Sequence, residues 1–146
     1  MAADPLQTLL AIRRREVEQA RMVLATCLAT EAAVSQRIGS LDAAARRDCE
    51  TAAVWTHAHQ FLEIAGARLA AARSDRRSLT ADLAAAQTST EQARGYVAAT
   101  RTAAETVEQL IAEREAARQA EAGKRAQHAL DDIVRKRRPP YSGHDQ

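Results

Sequence analysis

Apolar residues recur through this chain at alternating steps of four and three, and a period of 3.5 permits few architectures. The first series visits Leu6, Leu10, Arg13, Val17, Ala20, Leu24, Cys27, Glu31, Val34, Ile38, Leu41, Ala45 and Asp48, broken only by Arg13, Glu31 and Asp48. A second visits Leu62, Ala65, Leu69, Ala72, Arg76, Leu79, Leu83, Ala86, Thr90, Ala93, Val97, Thr100, Ala104, Val107 and Ile111, broken by Arg76, Thr90 and Thr100. Such a seam keeps one edge of a slightly underwound helix against a partner helix. The seams run for about 43 and about 50 residues, roughly 65 and 75 Å at ~1.5 Å rise per residue. They fit side by side, which predicts an all-α fold: a long two-helix antiparallel coiled-coil hairpin.

Composition supports the same reading. The chain of 146 residues is 46% hydrophobic but only 3% aromatic, because alanine supplies much of the apolar content. Alanine is the best helix former and carries little apolar area, so thin helical interfaces are favoured over a thick core. Val, Ile, Tyr, Phe and Trp are too scattered to read as strands.

Charge and cysteine usage narrow the function classes. The formal charge is +2, and the run Arg135, Lys136, Arg137 and Arg138 more than accounts for it. The body is therefore slightly acidic, and no nucleic-acid partner is expected. Cys27 falls on the first seam, and neither it nor Cys49 belongs to a C-x-x-C motif, so no disulfide framework or zinc site is signalled. No basic segment followed by an apolar run opens the chain, and no apolar stretch approaches ~18 residues. The expected location is cytoplasmic, with membrane association only through partners.

The helix boundaries are unevenly marked. Asp4 is placed to cap the first helix, Pro5 suits its first position, and Gln7 completes a capping-box-like spacing. The first helix is expected over about 5–47 and the second over about 62–138. Between them, over about 49–61, the phase is lost and the chain is expected to turn, although neither Gly nor Pro marks the place. Past Ile111 the second seam turns polar, through Arg114, Arg118, Glu121, Arg125, His128 and Asp132. A thinner, shifted stripe follows through Ala112, Ala116, Gln119, Ala122, Ala126, Ala129 and Ile133. Residues 112–138 should thus stay helical and project past the partner helix, supported by Glu121–Arg125, Asp131–Arg135 and Asp132–Lys136 pairs. Pro139 should end the helix and leave residues 139–146 as a disordered tail.

Few residues stand out chemically, and each has a plain alternative. Phe61 and Trp55 either anchor a partner or cap the end of the coiled coil. His57 and His59 lack the neighbours for tetrahedral ligation, so no metal site is expected. The basic run either docks to an acidic surface or simply complements a helix C-terminus. Arg13, Glu31 and Arg76 are read as register-setting charges. No Gly-rich phosphate loop, nucleophile–histidine pair or pocketed acid pair is legible, and the chain is read as a non-enzyme without cofactor.

Three groups of residues resemble the flagellar FliJ and virulence-system YscO stalk family. They are Leu6, Leu9, Leu10, Arg13, Arg14, Ala20 and Leu24 near the start, then Trp55 with His59, Gln60, Phe61 and Leu62. The third comprises Glu108, Gln109, Leu110, Glu113, Arg114 and Gln127 with Leu130, Asp131 and Asp132 before the basic end. The resemblance covers nearly the whole length. It departs from the family in lacking a Gly/Asn-rich connecting loop and in carrying Asp132 where glutamate is frequent. It implies a stalk similar to the γ subunit of rotary ATPases, which docks to the export ATPase FliI and the membrane export gate FlhA. It also implies escort of substrate chaperones in support of flagellum assembly and motility. Arg13, Arg14 and Arg15 with Arg135, Lys136, Arg137 and Arg138 would face the ATPase ring, and residues from 124 onward would share that side. Phe61 and Leu62, with Leu41 opposite, would meet the gate. A self-associating scaffold, a virulence-type stalk and a basic-tailed nucleic-acid binder are the alternatives.

Overall fold

A computed structural model describes residues 4–54 and 59–137. It contains two α-helices, α1 (Pro5–Val54) and α2 (His59–Arg137), of 50 and 79 residues. α1 packs against α2 as far as Ile111, and no strand occurs among the described residues. The expected all-α antiparallel hairpin is the observed fold.

The start of α1 follows from its sequence. Asp4 Oδ1 accepts the Leu6 N–H at 3.1 Å, and the Asp4 carbonyl accepts the Thr8 N–H at 3.1 Å. Pro5 occupies the first helical position, where its missing N–H leaves no bond unmade. The expected turn region of about 49–61 is corrected at both ends. Residues 49–54 continue α1 and α2 has begun by His59, so only residues 55–58 lie between the helices. Trp55, His57, Arg138 and the expected tail at 139–146 fall outside the described residues.

Four ion pairs between the helices fix direction and register. Asp4 meets Arg114 at 3.3 Å, Arg14 meets Glu108 at 2.8 Å, Asp42 meets Arg76 at 2.9 Å, and Asp48 meets Arg68 at 3.9 Å. Each step forward along α1 is a step back along α2, so the helices run antiparallel. In each pair the arginine is exposed and the carboxylate about a third exposed or more, so each adds at most about 1 kcal/mol. Apolar burial does most of the holding.

That burial follows the two seams. Every first-seam residue is buried or half-buried, with Leu10, Val17 and Ala20 nearly or wholly withdrawn from water. On α2, Ala65, Leu79, Ala86, Ala93, Val97, Ala104 and Val107 are buried. Larger side chains on α1 thus meet a partner edge rich in alanine, which lets the helices approach closely. Thr90 and Thr100 are buried without penalty. Their hydroxyls donate within the helix, to the carbonyls of Ala86 (3.1 Å) and of Tyr96 and Val97 (both 3.0 Å). The fully buried residues concentrate between Leu10 and Ala20 on α1 and between Ala86 and Val107 on α2. The core therefore sits toward the open end of the hairpin, away from the turn.

Two seam positions depart from expectation. Leu62 is 42% exposed and Arg76 is exposed. Arg76 still serves register, because its guanidinium reaches across to Asp42 from the edge of the interface. Arg13 instead folds onto its own helix and pairs with Glu16 at 2.8 Å.

Candidate docking surfaces

The hairpin ends where the second seam does. Ile111 is the last half-buried residue of α2, and every residue from 112 to 136 is exposed. The 26 residues of 112–137 form an overhang of about 39 Å at ~1.5 Å rise per residue. Its local ion pairs differ from those expected. Glu121 takes Lys124 at 3.4 Å in place of Arg125, and Glu115 accepts Gln119 at 3.4 Å and lies 4.0 Å from Arg118. Among the described residues no ion pair joins Asp131 to Arg135 or Asp132 to Lys136.

Six of the seven basic residues singled out from the sequence are described, and they fall into two separate groups. Arg13, Arg14 and Arg15 lie at the open end, where Arg13 is paired with Glu16, Arg14 is paired with Glu108, and Arg15 is exposed. Arg135 and Lys136 are exposed at the far tip of the overhang, where Arg137 ends the helix. Arg135 is 27 residues beyond Glu108, which is about 40 Å along the helix. The two groups share an end of the molecule but form no single patch.

The proposed gate-facing residues are also divided. Phe61 lines a groove of about 320 Å³ near the turn, with Asp48, Thr51, Ile64, Ala65 and Arg68. Leu62 is exposed beside it. Leu41, half-buried, lines grooves farther along the hairpin with Leu69, Ala72, Asp75 and Leu79. Since Asp42 pairs with Arg76, Leu41 lies about 22 Å from Phe61 along the axis. It does not stand opposite Phe61 and Leu62, so the pairing expected from sequence is corrected.

An apolar group at the overhang tip went unassigned in the sequence. Leu130, Ile133 and Val134 are 63%, 52% and 69% exposed. Their i, i+3, i+4 spacing puts them on one face, and that spacing was the signal that could have found them. Among the described residues no group of three or more His, Cys, Asp or Glu side chains could hold a metal ion. No described helix is long and apolar enough to cross a membrane.

Two antiparallel helices of unequal length, paired along one seam and continued by a helical overhang, define an elongated coiled-coil hairpin. The comparisons with known proteins narrow that class. The family model described as Flagellar FliJ protein matches residues 1–138, and the chain belongs to that family. It is accordingly a flagellar export-related protein. No curated protein and no solved structure matches it.

Proposed function

We propose that this chain is the stalk and adaptor of the flagellar type III export apparatus. It docks to the ring of the export ATPase FliI and to the membrane gate FlhA, and it escorts substrate chaperones. Its place is the cytoplasmic side of the membrane at the flagellar base, held there by its partners. The observation that supports this reading most is the combination of a paired shaft with a helical overhang of about 39 Å. A supercoiled pair resists bending and can carry contact over distance, while the overhang beyond the Asp4–Arg114 ion pair offers exposed helical surface.

In this reading the basic groups serve the ring and the turn-proximal groove around Phe61 serves the gate. Because Arg13, Arg14 and Arg15 are about 40 Å from Arg135 and Lys136, the ring is met by two contacts. Charge reversal at Arg135 and Lys136 should weaken ring binding without changing the thermal midpoint, since both side chains are exposed. The deciding experiment titrates purified protein into its cognate export ATPase. The expected result is raised turnover together with more hexamer. If neither responds, the stalk role is wrong.

A further inference from the structure

Three exposed arginines near the middle of the shaft, Arg46, Arg73 and Arg77, reach no carboxylate among the described residues. They lie together. Arg73, Arg76, Arg77 and Thr80 line a groove of about 430 Å³ on α2. Arg76 crosses to Asp42 at 2.9 Å, which puts Asp42 on the same broad face, and Arg46 follows Asp42 by one turn of α1. The step from Asp42 to Arg46 and the step from Arg76 back to Arg73 both run toward the turn. Arg46 and Arg73 therefore come level across the shaft, and Arg77 is one turn, about 6 Å, from Arg73.

The opposite broad face is built differently. Successive helical residues turn by ~100°, so Asp75 and Asp82 lie about half a turn from Arg73 and Arg77. There they share a groove with Arg37, and Asp48 meets Arg68 at 3.9 Å, so each charge has a counterpart. On the arginine face Asp42 is already held by Arg76, and three guanidinium groups keep their donors for another molecule. No large apolar side chain is exposed between residues 39 and 50 or between 66 and 84. The patch is purely cationic.

We propose that this cluster docks an acidic helical segment of a partner protein, with carboxylates one turn apart. A guanidinium group pairs a carboxylate or a phosphate through two parallel hydrogen bonds. Three features select the acidic helix. Arg73 and Arg77 repeat at one helical turn, the spacing at which acids at i and i+4 are presented. Phosphate sites commonly add backbone N–H groups, and in mid-helix those groups are already bonded within the helix. Anionic membranes are held by ~4–8 basic residues together or by buried apolar side chains, and three arginines without an apolar neighbour offer neither. A second copy of the chain lacks the matching surface. Among the described residues, the only unpaired carboxylates within one turn of each other along a helix are Asp131 and Asp132, and Arg135 and Lys136 follow one turn later.

The proposal is independent of the ring contacts and of the groove around Phe61, which lie elsewhere on the molecule. The test is a fluorescence-anisotropy titration of the full chain into a labelled, stapled helical peptide of about three heptads with Glu at successive i and i+4 positions. Stapling is needed because free peptides of that length are marginal helices. The expected result is saturable binding that weakens steeply as salt is raised. The double variant Arg73→Glu, Arg77→Glu should lose about tenfold or more in affinity with its circular dichroism unchanged, and a peptide with Lys in place of Glu should bind it instead. The double variant Arg37→Glu, Arg47→Glu, on the opposite face, carries the same net charge and should shift affinity by less than about twofold. Absence of saturable binding, or an equal loss in the opposite-face variant, overturns the proposal. Inorganic triphosphate or phosphatidylglycerol vesicles that bind more tightly than the peptide, with the same dependence on Arg73 and Arg77, also overturn it by giving the cluster to phosphate.

Discussion

Residues 5–54 and 59–111, on one side, and residues 112–137, on the other, are built from nearly the same alphabet, yet only the first set buries an apolar seam within the chain. Both are helical and rich in Ala, Glu and Arg. In the hairpin, Leu10, Val17 and Ala20 are buried against an edge that includes Val97, Ala104 and Val107. In the overhang the same helical phase carries Arg114, Arg118, Glu121 and Arg125, and Leu130, Ile133 and Val134 remain open to water. Helix propensity is thus shared, and the presence of an apolar seam in phase with α1 decides which part pairs. The Asp4–Arg114 ion pair marks the last rung.

Substitutions at matched residues can break this contrast. Leu10→Ala removes a buried side chain at the core and should cost about 2–4 kcal/mol in denaturant unfolding. Leu130→Ala should cost less than about 0.5 kcal/mol by the same measurement. Equal losses would mean that the overhang is packed after all.

The glycines sharpen the comparison on a smaller scale. An added Cβ meets nothing within 4 Å at Gly39, Gly66 or Gly123, and all three are helical. Gly39→Ala and Gly66→Ala should each raise global stability by about 0.5–1 kcal/mol, because alanine has less backbone freedom to lose. Gly123→Ala should instead increase helicity locally, detected as slower amide exchange around residue 123, with the global midpoint unmoved.

The smallest effect belongs to the exposed cross-helix charges. A double-mutant cycle on Asp42→Ala and Arg76→Ala should return a coupling of about 0.2–1 kcal/mol that fades in high salt. A larger, salt-insensitive coupling would mean that register depends on this pair more than on the apolar seam.

The same contrast explains what the sequence could and could not reveal. The seams were legible because each is a one-dimensional pattern within a single helix, so Leu10, Val17, Ala20, Ala86 and Val107 could be named as core in advance. The overhang was legible for the same reason, through the run of polar residues that follows Ile111. The turn was not. Residues 49–54 lack a clear phase but carry no breaker either, so α1 continues through them. Register was also hidden, since it depends on cross-helix pairs such as Asp42 with Arg76, and Leu41 was therefore set opposite the wrong residues. The arginine cluster needs the same information. Neither Arg46 nor Arg73 signals anything until Asp42 and Arg76 are known to lie together.

Distance measurement by pulsed electron spin resonance tests the antiparallel register most directly. Nitroxide labels would sit on cysteines replacing Arg21 and Arg101, with Cys27 and Cys49 changed to alanine. These two positions share one groove across helices whose axes should lie ~8–10 Å apart. The account predicts a narrow distribution centred below about 25 Å, unchanged when labelled protein is diluted with unlabelled chain. A separation beyond about 40 Å, or a short distance that vanishes on dilution, would contradict it.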